Sequence, residues 1–411
     1  MKKLISVILT LSLVIELRFF YIIKNLPIVG EDFSKITIIL LLITLVLFCG
    51  TIFLKPKYIF GGSVLIFIFI YCLQLLICSF RYNQSIYDIF LVSKYNLIIL
   101  LYFIMVYFSR NIIKIENFDF YIIGFSFILS FLIDAQYIVF DKGMIFLNVN
   151  FNNLRFGTLR LYESADFINL GCILATSYLF KKNIKKSKKI ICFITIILCF
   201  FNNIFVAKVR MGLVITLICV LIISFLELNK SFFKVITFFI ATLFIFITFI
   251  NTNIAKDYLM SLETEKVSKE VRESTSSYYI EQFKDYPLMG IGYMKSYYDG
   301  DQYYQILRGT DERKAYREDV GIIGFLNTFG IIGILWYFYI CVKIIVVCVN
   351  TRRKNIDDFA KVLSICIFII ISSSSLIIMD KQRILLLPII LTIIDNVNYT
   401  INNKKDKFSI N

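Results

Sequence analysis

The sequence predicts an all-α polytopic membrane protein with about twelve transmembrane helices (eleven to twelve) and one long external loop containing short helices. Three observations carry this. Hydrophobic residues make up 58% of the 411 and the mean hydropathy is +0.77, far above what a soluble domain of this length needs to fill a core. Apolar runs of roughly 20 residues, enough to cross a ~30 Å hydrocarbon layer, recur along the chain with short polar interruptions. The runs are apolar at nearly every position, as at 36–54 and 235–250, where barrel strands would alternate with period two.

Spans are predicted at 4–23, 36–54, 58–79, 89–108, 120–140, 167–180, 190–206, 212–226, 235–253, 321–349, 362–379 and 384–394. Met1-Lys2-Lys3 before an apolar run resembles a signal peptide, but no small-residue cleavage site follows and Glu16 and Arg18 interrupt it, so it reads as an uncleaved first span. Alternate connections hold Lys55 and Lys57, Arg110 and Lys114, the six lysines of 181–189, and Arg352–Lys354. Their basic excess over the short loops on the other side is about twofold, which places these connections and both termini in the cytoplasm. The chain then divides into a bundle of nine spans (1–253), an external loop (254–320), three further spans (321–394) and a cytoplasmic tail (395–411).

The external loop carries ten Lys/Arg, thirteen Asp/Glu and ten Tyr, too much for a simple connector, so it is expected to fold. Charged residues interleave with Leu262, Val267, Val271 and Ile280 without Pro or Gly, which predicts a helix over 261–284 lying on the membrane. The tyrosines suit two purposes, stacking on sugar rings or forming an interfacial belt.

Histidine is absent, which excludes a Ser-His-Asp triad, a His-ligated metal and an imidazole base. No Walker loop or dinucleotide fingerprint occurs, so the energy for any reaction or transport is expected to come with the substrate or from a gradient. All ten cysteines lie in apolar runs and read as core residues without disulfides. The net charge of +15 sits largely in inter-helix loops, where it sets orientation, and no nucleic-acid partner is expected. Arginines gather in the outer segments: Arg155 and Arg160, Arg210, then Arg272, Arg308, Arg313 and Arg317. Guanidinium forks match phosphate oxygens, and headgroup snorkelling is the alternative use. Arg210, with Lys208, puts positive charge into a tight outer turn where short loops avoid it. Glu318 and Asp319 stand at the start of the tenth span, as a general base toward a hydroxyl or as helix N-terminal acids. Gly321, Gly324, Gly330 and Gly333 there allow a partner backbone to approach closely.

Three segments carry a family resemblance. They are 155–169 (RFGTLRLYESADFIN), the Arg210 turn, and DYPLMGIGY at 285–293 followed by EDVGIIGF at 318–325 and Phe329-Gly330. In this order around one long outer loop they resemble the bacterial O-antigen and capsule repeat-unit polymerases (the Wzy type) of the O-antigen ligase–polymerase superfamily. The resemblance implies a metal-independent glycosyltransferase in the cytoplasmic membrane, moving an undecaprenyl-pyrophosphate-linked glycan onto a lipid-linked repeat unit. It implies pyrophosphate binding by Arg155, Arg160, Arg210, Arg272, Arg313 and Arg317, with Glu318 or Asp319 on the acceptor hydroxyl. A flippase and a chain-length regulator follow as partners. Ligases of the superfamily carry a histidine where Asp319 stands, counting back from Gly330, which favours a polymerase.

Two rivals remain at this stage. Glu31-Asp32 in the first outer loop would suit a lipid-phosphate-sugar glycosyltransferase. Glu16, Arg18 and Lys94 within spans would suit a flippase or secondary transporter.

Overall fold

A helix closes its backbone hydrogen bonds within itself and needs only apolar side chains to sit in hydrocarbon, and the apolar runs fold in that way. A computed structural model of the chain describes residues 2–19, 33–47, 49–54, 58–140, 142–147, 154–155, 158–162, 164–181, 184–228, 270–298, 300–309, 315–354, 356–375 and 377–408. The helices are α1 (Lys2–Glu16), α2 (Phe33–Leu47), α3 (Cys49–Leu54), α4 (Gly61–Tyr82), α5 (Ile86–Ser93), α6 (Leu101–Asn111), α7 (Ile115–Phe140), α8 (Ala165–Leu179), α9 (Lys186–Phe201) and α10 (Arg210–Leu228). After them come α11 (270–285), α12 (Gln302–Arg308), α13 (Ile322–Lys354), α14 (Ile356–Ser372) and α15 (Leu386–Phe408). A two-residue antiparallel ladder pairs Leu154 with Leu159 and Arg155 with Thr158, the one departure from an all-helical fold among the described residues.

Among the described residues six helical stretches are long and apolar enough to cross a membrane: Gly61–Tyr82, Ile86–Asn111, Ile115–Phe140, Lys186–Val206, Arg210–Leu228 and Ile322–Arg353. Lys35–Leu47 and Ala165–Leu179 are shorter apolar helices. The protein is therefore polytopic, while the span expected at 235–253 lies outside the described residues. α6 and α8 are buried nearly all round and form the centre, α8 against α7, α9, α10 and α14, and α6 against α15. Phe80, Val46 and Phe338 stand outward on the flanks, as hydrocarbon-facing side chains do.

Three expected boundaries move. The span expected to end at 379 ends at Ser372, because the hydroxyls of Ser372 and Ser373 take the Ile369 carbonyl and Ser374 takes that of Ile371, offering the backbone a way out of the helix. The last span is longer than 384–394, and α15 runs through Asp395 and Asn396, which are buried against Arg110. The helix expected over 261–284 ends one residue later, at 285, and is described from 270, its expected first turns at 261–269 lying outside the described residues.

The expected tenth span is broken. Gly330 adopts φ 66°, so the bonds that Ile331 and Ile332 would make to the Asn327 and Thr328 carbonyls cannot form. The segment 287–292 fills the gap. Ile291 and Gly292 N–H donate to the Asn327 and Thr328 carbonyls (2.8 and 3.1 Å), and Ile331 and Ile332 N–H donate to those of Pro287 and Leu288 (2.9 and 3.2 Å). These four freed backbone groups thereby gain partners, as hydrocarbon surroundings require. A side chain at Gly330 would strike the Leu288 carbonyl, which is the close approach the glycine spacing predicts, although the partner is a loop and not a second helix.

Ion pairs and hydrogen bonds between connections fall into two groups. At one end Arg110 pairs with Asp395 (2.9 Å) and Lys361 and Lys181 with Asp119 (2.9 and 3.5 Å). At the other, Lys295 pairs with Asp88 (2.6 Å), Tyr303 donates to the Tyr82 carbonyl (2.9 Å), and Arg383 bonds Asp166 (2.5 Å). These are the segments read as inner and outer respectively.

Candidate functional site

The end that gathers the connections read as outer holds a cavity of about 490 Å³, within the usual range for small-molecule sites. Its roof is the long loop. Tyr278 and Tyr279 on α11 donate to the carbonyls of Gln305, Ile306 and Leu307, tying α12 down (2.9–3.0 Å). Asn327 of α13 donates to the Tyr279 carbonyl (3.1 Å), seating that layer on the membrane helices. α5 enters from the side, capped by Ser85, whose hydroxyl accepts from Asp88 N–H (3.1 Å). After it the chain tightens into a 3-10 turn over Lys94–Leu100, which brings Tyr95 to the cavity wall.

Arg317, Arg308 and Lys381 line this cavity, with five tyrosines (Tyr95, Tyr293, Tyr297, Tyr298 and Tyr304) and two carboxylates, Glu318 and Asp380. Arg317 can reach the wall because Gly324 leaves room for its backbone; a side chain there would strike the Arg317 carbonyl. Its Nη1 donates to the Gly292 carbonyl (2.8 Å), while Nε and Nη2 are buried and find no hydrogen-bond partner among the described residues. A buried guanidinium edge with two donors unused is matched by a two-oxygen anion.

The two carboxylates differ. Asp380 Oδ1 accepts Gln382 N–H and Arg383 N–H (2.8 and 2.9 Å), its other oxygen meets Arg383 Nη1, and Arg383 also holds Asp166. Burial pushes its carboxyl up to about 6, against the pull of Arg383. Among the described residues Glu318 has only Arg308 within ion-pair range, at 4.0 Å, and its side chain is 40% exposed. Glu318 is thus the carboxylate open to a ligand. Asp319 stands exposed beside the cavity and does not line it. Surrounding protein raises its carboxyl and Glu318 adds to the shift, while Arg272, Arg383 and Arg308 oppose it. Among the described residues no three Cys, Asp or Glu side chains converge as a metal site.

Of the residues singled out in the sequence, Arg317 and Glu318 share this cavity, and Asp319 and Arg272 stand in its electrostatic surroundings. Arg160 and Arg210 do not line it. Arg160 Nε donates to the Ala207 carbonyl (2.9 Å) with its guanidinium 4.7 Å from the Tyr162 ring centre, and Arg210 opens α10 after the same turn. That second locus meets the first through Asp166 and Arg383. Arg155 is described only by its backbone, and Arg313 lies outside the described residues. Sequence reasoning missed Tyr95, Tyr293, Lys381 and Asp380 as members of one site. The signals were a Lys94-Tyr95-Asn96 triplet interrupting an apolar run and the charged stretch 380–383 after four serines. No protein-family model matches the chain, and no curated protein is significantly similar to it.

Proposed function

We propose that this protein is a polysaccharide polymerase acting at the outer face of a bacterial cytoplasmic membrane, with about twelve spans. The observation that carries the reading is one cavity combining the unused guanidinium edge of Arg317, two further cations, tyrosine walls and an accessible carboxylate. Tyrosine faces suit sugar rings, and the cations suit a pyrophosphate held where spans end. In the reaction, the acceptor hydroxyl oxygen attacks the anomeric carbon of the donor glycan. The bond from that carbon to the pyrophosphate oxygen breaks, its electron pair leaves with undecaprenyl pyrophosphate, and the hydroxyl proton passes to Glu318. Arg317, Arg308 and Lys381 stabilise the charge that develops on the leaving group. A flippase and a chain-length regulator are the partners this activity calls for.

The test supplies purified protein with lipid-pyrophosphate-linked repeat units, without nucleotide or added metal, and reads the glycan ladder on a gel. Arg317→Ala is expected to lower the rate by about 10²-fold or more. No ladder from folded protein on its cognate substrate rejects the reading, and movement of intact lipid-linked units across vesicles assigns a flippase in its place.

A further inference from the structure

The inner wall of the cavity carries a hydrogen-bond relay whose last donor finds no partner among the described residues. Asn96 is fully buried in the 3-10 turn, and its Nδ2 donates to the Ser93 carbonyl (2.8 Å), which fixes the amide's orientation. The same nitrogen donates to the Tyr293 hydroxyl (2.9 Å), and the Tyr293 and Tyr95 hydroxyls lie 3.0 Å apart. The two phenols own two protons. One joins them to each other, and the Asn96 donation occupies a lone pair of Tyr293, so one hydroxyl proton remains whichever phenol donates. Both tyrosines line the cavity, so that proton faces its interior.

One side of this donor is apolar. Tyr293 stands edge-on to Phe329 with ring centres 5.8 Å apart, Phe329 stacks on Phe325 at 4.9 Å, and Ile377 and Met379 complete the wall. A sugar hydroxyl seated there could donate to the Thr328 hydroxyl, which keeps its lone pairs while donating to the Gly324 carbonyl (2.8 Å), but it would set a polar group against the phenylalanine wall. An acyl carbonyl accepts one proton, donates none, and carries a methyl group that the phenylalanines can cover.

We propose that the Asn96–Tyr293–Tyr95 relay is a specificity subsite for an acylated sugar, the phenol proton binding the acyl oxygen and Phe325 and Phe329 covering the methyl. This rests on the glycan reading of the cavity and names the kind of sugar it takes. Asn96 is a positioning residue, since it acts through Tyr293.

The experiment measures binding and needs no turnover, so it stays separate from the ladder test. Saturation-transfer NMR on the detergent-solubilised protein uses free N-acetylglucosamine as the probe, with glucose and glucosamine for comparison. The acetyl methyl is expected to receive the strongest saturation, with glucose and glucosamine weaker. The double variant Tyr95→Phe with Tyr293→Phe, which keeps both rings and removes both phenol protons, is expected to weaken N-acetylglucosamine about tenfold and to leave glucose unchanged. Asn96→Asp, which turns the donor to Tyr293 into an acceptor, is expected to weaken the same sugar selectively in protein whose melting temperature is preserved. Equal saturation from all three sugars, none from any, or no selective loss in the double variant overturns the proposal. A missing ladder with acetyl-selective binding intact rejects polymerisation alone.

Discussion

Glu318 and Asp380 face the same cavity, but their partners assign them different work. Asp380 has both oxygens engaged by the 380–383 turn, so it shapes the wall, whereas Glu318 keeps an oxygen free for a ligand proton. Glu318→Gln is expected to lower the polymerisation rate by about 10²-fold, with Asp319→Asn affecting it far less. Comparable losses from both, measured on the same substrate, would make Asp319 the base. Asp380 also links pH to stability. Its folded value of about 6 lies above the ordinary carboxylate value, so its contribution is complete below about pH 4 and is lost as pH rises through 6. Melting temperature in detergent is therefore expected to fall between about pH 4 and pH 6 in the native protein, and Asp380→Asn is expected to flatten that slope. At this scale the sequence identified Arg317 and Glu318 through their place before an apolar run. It hid Tyr95, in an expected span, and Tyr293, in the long loop, because a tyrosine near the membrane surface reads equally as a belt residue until another chain segment meets it.

Helix α13 shows how an element can be broken without loss of hydrogen bonds. The 287–292 segment exchanges partners with residues 327–332, and Gln74 of α4 supports the exchange by donating to the Met289 carbonyl (3.0 Å) and to that of Thr328. Arg81 adds a bond to the Gly290 carbonyl (2.7 Å) and stacks on Tyr286, with 3.8 Å from guanidinium to ring centre. The long loop is thereby fastened to the bundle at the level of the helix break. Gly330→Ala forces a methyl into the Leu288 carbonyl at a positive φ, and is expected to destabilise the fold by about 2 kcal/mol or more. Gly333→Ala, in the helix beyond the break, is the comparison for local crowding, because a methyl there meets the Phe329 side chain. If Gly330→Ala melts no lower than the native protein, the break is not strained in the way argued here.

Across the whole molecule, the ion pairs join alternate connections to one another, Arg110 with Asp395 and Lys181 and Lys361 with Asp119 in one set, Lys295 with Asp88 and Arg383 with Asp166 in the other. Cysteine labelling tests the orientation directly, because the native cysteines are either buried or, like Cys49 and Cys72, on apolar helices. Tyr298→Cys is expected to react with a membrane-impermeant maleimide in intact cells, and Lys188→Cys only after permeabilisation. The reverse pattern inverts the orientation and puts the cavity on the cytoplasmic side.

Taken alone, the sequence determined that this chain is a helical, polytopic membrane protein and that its polar surplus collects in a few connections. Hydropathy and charge act locally against a fixed hydrocarbon thickness, so they are legible without contacts. Only the tertiary structure decided that α13 is broken, that Ser372–Ser375 end α14 early, and that Tyr95, Tyr293, Arg308, Arg317 and Lys381 share one cavity. Those outcomes depend on which backbone groups and side chains meet across long stretches of chain. The Gly330 break is tolerable only because residues 287–292 arrive to satisfy it, and no local pattern in either segment records that meeting.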